Sequence, residues 1–172
     1  MTRILGIDPG SRKTGFGVIE RIGGKVAYIT SGVIRVPEGS LPERLKVIFD
    51  AITQIVQQQS PDVVAIEQIF MAKNASSALK LGQARGAAIT AAVVQDLSVY
   101  EYEARKVKQS VVGTGAADKA QVQHMVKALL RLPGTPQEDA ADALAVALCH
   151  SNTQDQLIAL AGKRSFRRGR VV

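Results

Sequence analysis

Over the first 36 residues the apolar positions come in short runs, not at helical spacing. Ile4, Leu5 and Ile7 have the content of a buried strand that stops at Asp8, because Pro9-Gly10-Ser11 is turn chemistry: Pro fixes φ and Gly permits positive φ. A strand pattern resumes over residues 14–20, Gly23-Gly24 turn the chain, and residues 25–36 read as a third strand. Three strands with tight connections predict an antiparallel meander. Ser40 with Glu43 is a capping-box signature, and Leu45, Ile48, Phe49, Ile52 and Val56 follow on one helical face up to Gln59.

Pro61-Asp62 break that helix, and Val63-Val64-Ala65-Ile66 is again an apolar run ending in a carboxylate, Glu67. A helix between two strands implies a crossover, which sets this fourth strand parallel to an earlier one in the same sheet. Asp8 and Glu67 then emerge at one end of the sheet, where crevices form in open α/β folds. A long helix is predicted from Asn74 or Ala75 to about Asp96. Its Gly82 and Gly86, one turn apart, make a face another backbone can approach, from within the fold as the simpler reading or from a second subunit. Residues 98–102 read as a fifth strand, 104–112 as a short basic helix, and Asp118 opens a helix that Leu132-Pro133-Gly134 ends.

The last helix is expected to start with Thr135 as N-cap and Pro136 at the first position, and to carry Asp139 and Asp142 on one face, opposite Leu144 and Leu148. Periodicity is lost past Ser151. The pattern predicts an α/β domain over residues 1–151, with a five-stranded mixed sheet flanked by helices, and a disordered basic tail over 152–172.

Composition agrees with a packed core: 172 residues, 46% hydrophobic, 4% aromatic and no Trp, so Val, Ile, Leu and Ala must fill it. The formal charge is +7, of which +4 falls in the last 22 residues, where Lys163, Arg164, Arg167, Arg168 and Arg170 outweigh Asp155. A basic balance favours phosphate-bearing partners, nucleic acid or an anionic membrane surface, although a merely solvated surface has the same composition. Cys149 excludes an intrachain disulfide and, with only His124 and His150, offers no zinc cluster. No signal peptide or membrane-spanning run is visible, so a cytoplasmic location is expected.

Each acid has a plain structural reading. Asp8 can cap its turn, Glu67 can end a strand in solvent, and Asp139 can complement the helix dipole. Four acids converging would instead repel, raising some pKa values unless a cation joined them. Hard oxygen donors without His or Cys select Mg²⁺ or Mn²⁺. An acidic pocket in a basic protein points to metal-assisted phosphoryl transfer on a polyanion.

The residues also carry a resemblance. Ile4-Leu-Gly-Ile-Asp-Pro-Gly-Ser-Arg12, Ala65-Ile-Glu-Gln-Ile-Phe-Met-Ala-Lys-Asn74, Lys80-Leu-Gly-Gln-Ala-Arg-Gly86, Gln121-Val-Gln-His-Met125 and Asp139-Ala-Ala-Asp-Ala-Leu144 closely resemble the bacterial RuvC Holliday junction resolvase family, from about Arg3 to His150. The resemblance implies a ribonuclease-H-like fold and a homodimer that nicks two opposed strands of a four-way DNA junction symmetrically, leaving ligatable ends. It implies Mg²⁺, about two ions per subunit, and a branch-migration motor complex of the RuvA and RuvB type as partner. Carried over by position, Asp8, Glu67, Asp139 and Asp142 are the metal-binding catalytic acids, and Phe70 is the aromatic that stacks on an unpaired base. Lys108 and Lys119 match basic residues near the site, while Lys73, Lys80, Arg85, Arg105 and Lys106 are candidate DNA-backbone contacts. Gly82 and Gly86 are the candidate dimer face.

Sugar kinases and actin-like ATPases share the opening strand and Asp turn, but they repeat the domain around a nucleotide, and this chain shows no second copy and no P-loop. The non-enzymatic alternative is a branched-DNA-binding module whose acids are structural.

Overall fold

A computed structural model of the protein describes residues 1–68 and 74–164. β1 (Thr2–Asp8), β2 (Lys13–Ile22) and β3 (Lys25–Arg35) form the expected meander, and α1 (Leu41–Gln59) crosses over to β4 (Val63–Glu67). α2 (Ala75–Val93) leads to β5 (Ser98–Tyr102), followed by α3 (Ala104–Val112), α4 (Lys119–Leu129) and α5 (Glu138–Arg164). The sheet runs β3-β2-β1-β4-β5. β1–β2 and β2–β3 are antiparallel, β1–β4 and β4–β5 parallel, so β1 is central. Among the described residues no helix is long and apolar enough to cross a membrane.

Alternation along β1 decides what faces what. Leu5 and Ile7 pack with Val64 and Ile66 against Ile48 and Ile52 of α1 and Ala84 and Ala88 of α2. Ile4 faces the other way, into a cluster with Ala65 and with Leu144, Ala145 and Leu148 of α5. Asp8 shares the face of Ile4, and Glu67 that of Ala65. Both acids therefore emerge on the α5 side.

A row of glycines lets α5 approach. Gly6 lies opposite Gly17, and Asp8 opposite Gly15, in the β1–β2 register. A Cβ on Gly6 would stand 2.0 Å from the Ala143 carbonyl oxygen, and one on Gly15 1.9 Å from that of Asp139. Only bare backbone admits such contact, so glycine inside these strands marks close packing and not weakness. Between Ala140 and Ser151 every residue of α5 except Asp142 is buried.

Three expectations need correction. α5 begins at Glu138, not at Pro136, because the Pro136 carbonyl accepts from Gln123 Nε2 at 3.1 Å and the first helical bond runs from Ala141 N to Gln137 O at 2.8 Å. Order does not stop at Ser151 either, since α5 continues to Arg164. Polar anchors replace apolar periodicity there: Asn152 Nδ2 donates to the Ser110 carbonyl and hydroxyl oxygens at 3.2 and 3.0 Å, and Arg21 pairs with Asp155. Residues 165–172 of the expected tail lie outside the described residues. Finally, among the described residues nothing fills the Gly82/Gly86 face from within the fold, for none lies within 4 Å of a Cβ placed at either.

Candidate active site

In the parallel β1–β4 register Ile7 pairs with Ile66, so Asp8 and Glu67 are the next neighbours along the two strands. α5, seated on the glycine row, brings Asp142 over them. Asp8, Glu67 and Asp142 line one cleft of about 270 Å³, together with Lys108 of α3 and Lys119 of α4, and its walls include Ala104, Val107, Val122 and Ala145. Asp139, nearly one turn before Asp142, stands beside this cleft without lining it. Larger hollows exist, such as a groove of about 570 Å³ between α1 and α2, but no acid lines it.

Apolar walls and crowded charge set the electrostatics. Burial pushes the Asp8 carboxyl up, the charges of Asp142, Glu67 and Asp139 add to it, and Lys119 opposes them, leaving it at about 8. Glu67 is raised by burial and by Asp142, against Lys108 and Lys119. Asp142 is raised mainly by burial; Lys119 and Lys108 counter it, while Glu138 and Asp139 reinforce it. None of the four acids is in an ion pair among the described residues.

These are hard oxygen donors with no His or Cys among them, a set suited to Mg²⁺ or Mn²⁺. Among the described residues no three acidic, histidine or cysteine side chains stand as a ready-made cage. Their like charges repel one another, and a divalent ion would relieve both the repulsion and the raised pKa values.

A pH dependence follows. Protonated Asp8 favours the folded state, so its contribution is intact below the ordinary carboxylate range and is lost as pH rises through about 8. In EDTA, wild-type protein is expected to lose up to about 4 kcal/mol of stability relative to Asp8→Asn between about pH 5 and pH 8, read from denaturant unfolding at each pH. Parallel curves for the two proteins would refute this assignment.

Of the predicted basic residues, the cleft gathers Lys108 and Lys119. Arg85 is used internally: its Nε donates to the Glu67 carbonyl at 3.2 Å and its guanidinium pairs with Glu101 at 2.5 Å, fixing the strand end that carries Glu67. Lys106 lies over the Tyr102 ring, 5.0 Å from its centroid, and lines a separate polar hollow with Ser110 and Asn152. Lys80 lines the α1–α2 groove, and Arg105 is exposed with its side chain packed on Gly115. Phe70 and Lys73 lie outside the described residues. Sequence reasoning takes Glu138 only as part of the helix-start signal, whereas it pairs with Lys119, and it overlooks the spacing of Gly6, Gly15 and Gly17, which does signal a close backbone approach.

The family model for the crossover junction endodeoxyribonuclease RuvC matches residues 4–150. The chain is 65% identical to the protein of that name from Saccharophagus degradans and 63% identical to that from Teredinibacter turnerae, in each case over all of both chains. The solved structure of Thermus thermophilus RuvC in complex with a Holliday junction substrate superposes with a TM-score of 0.84 at 32% identity, covering 91% of this chain and 96% of that one. With an acid-lined cleft at the carboxyl ends of two parallel strands, and with this match over nearly its whole length, the chain belongs to the RuvC family of crossover junction endodeoxyribonucleases, enzymes that hydrolyse DNA.

Proposed function

We propose that the protein acts on four-way DNA junctions as a homodimer, nicking two opposed strands symmetrically in a Mg²⁺-dependent reaction whose ends a ligase can seal. The observation that carries this reading is the set of three carboxylates, Asp8, Glu67 and Asp142, without an ion pair among the described residues, in one cleft beside two lysines. Asp8, Glu67 and Asp142 would hold the cation, with Asp139 supporting from the adjoining turn and Mn²⁺ as a substitute. When bound, one or two such ions stabilise charge on the attacking and leaving oxygens of an in-line displacement. Lys108 and Lys119 would receive the phosphate backbone, their ammonium groups meeting charge that the acids alone would repel. Phe70 would stack on a base at the opened crossover, an interaction of about 1–3 kcal/mol.

Dimerisation is supported by the outer face of α2. Gly82 and Gly86 are exposed there with open space above them, next to exposed Leu79 and Val93. An exposed helical glycine costs about 1 kcal/mol relative to Ala, and among the described residues nothing packs on either to offset it. Gly86→Arg is expected to leave the fold intact and yield a monomer by sedimentation, with paired nicking lost; an unchanged dimer would remove α2 as the interface. A branch-migration motor complex of the RuvA and RuvB type would be its partner.

The function is tested with a synthetic junction labelled in turn on each of its four strands. Nicks at symmetry-related positions on two opposed strands, sealable by ligase, are expected in Mg²⁺. Tight binding without cleavage in any divalent ion would leave a DNA-binding module.

A further inference from the structure

Lys119 is surrounded by acids yet pairs with one that does not line the cleft. Its Nζ lies among the fields of Asp8, Asp142 and Glu67, but among the described residues its ion pair is with Glu138, the first residue of α5. The backbone around this pair is braced on both sides. Asp118 accepts from Gln121 N at 2.8 Å while Gln121 Oε1 accepts from Asp118 N at 2.9 Å, which fixes the start of α4 and hence Lys119. Gln123 Nε2, bonded to the Pro136 carbonyl at 3.1 Å, ties α4 to the approach of α5 and hence to Glu138.

We infer that Glu138 is a positioning residue that tethers the Lys119 ammonium at the rim of the cleft, keeping it from settling among the Asp8, Glu67 and Asp142 carboxylates where a divalent cation belongs. This rests on the metal reading of the cleft given above. A flexible lysine facing three like charges is itself a competing cation, and without a tether the strongest field draws it inward. With the tether, the ammonium stays at the mouth, where an incoming phosphate meets it. Glu138 touches neither substrate nor metal in this role; it acts through Lys119.

The test is Mn²⁺ binding to the junction-free protein, followed by electron paramagnetic resonance, in wild type, Glu138→Gln, Lys119→Met and the double variant, with Asp8→Asn as the site control. Glu138→Gln is expected to weaken Mn²⁺ binding about three- to fivefold, the scale of one exposed charge pair. Lys119→Met should bind at least as tightly as wild type, and adding Glu138→Gln to Lys119→Met should change affinity less than twofold (~1–2, within ordinary additivity). Glu138→Asp, which keeps the charge, should recover most of the loss. Equal weakening in both backgrounds would overturn the tether and make Glu138 simply one more negative charge near the site. No weakening in either would overturn it as well. If wild type and Asp8→Asn bind Mn²⁺ alike, the metal reading of the cleft fails first, and the tether with it.

Discussion

Asp8→Asn protein is expected to bind four-way junctions with nearly wild-type affinity and to cut them at least about a thousandfold more slowly. Asp8 ends the central strand, faces α5, and is the acid that burial and the three neighbouring carboxylates push up to about 8. Asn keeps the volume and one oxygen donor but removes the charge that would attract a divalent ion. Binding should survive because Lys108 and Lys119 remain at the cleft. The change also removes a carboxyl that must take up a proton to stay buried in the metal-free fold at neutral pH, so the variant should melt higher than wild type in EDTA. Cleavage within tenfold (~10) of wild type would mean that Asp8 is not the centre of the site.

The second large effect concerns a residue with no side chain. Gly15→Ala would place a methyl group 1.9 Å from the carbonyl oxygen of Asp139 and 3.2 Å from its Cβ, so α5 must lift off the sheet. Over-packing of this kind costs about 1–3 kcal/mol, and a contact against helix backbone has no rotamer through which to escape. Asp139 and Asp142 both ride on that turn. A displacement of about 1 Å at a reacting centre costs roughly a hundredfold in rate, so cleavage should fall by that factor or more even in the fraction that folds. Thermal unfolding and junction cleavage together check this; a Gly15→Ala protein with wild-type melting and rate would show that α5 is not held by the glycine row. Gly6→Ala, 2.0 Å from the carbonyl of Ala143, the residue that follows Asp142, should destabilise similarly.

Local rules accounted for much of the fold. The capping box of α1 is visible in sequence and is made, with Glu43 Oε2 accepting from Ser40 N at 2.8 Å and from Ser40 Oγ at 2.7 Å. The turn after Asp8 and the crossover through α1 were equally legible, and together they placed Asp8 and Glu67 at one sheet end. The boundaries of α5 were not, because both depend on distant partners: Gln123 takes the Pro136 carbonyl, while Ser110 and Arg21 anchor Asn152 and Asp155. Arg85 looked like one more surface cation, and only its approach to the Glu67 carbonyl separates it from Lys80. A pattern of residue types records which side chains like to be buried or charged. It does not record which of several cations a given strand end will capture.

The most direct test of the account is anomalous diffraction from crystals soaked in Mn²⁺. The account predicts a peak in the cleft within coordination distance of Asp8 and at least one of Glu67 and Asp142, absent from Asp8→Asn crystals treated alike. A fully soaked wild-type crystal with no peak there, or with Mn²⁺ bound only away from these carboxylates, would contradict it.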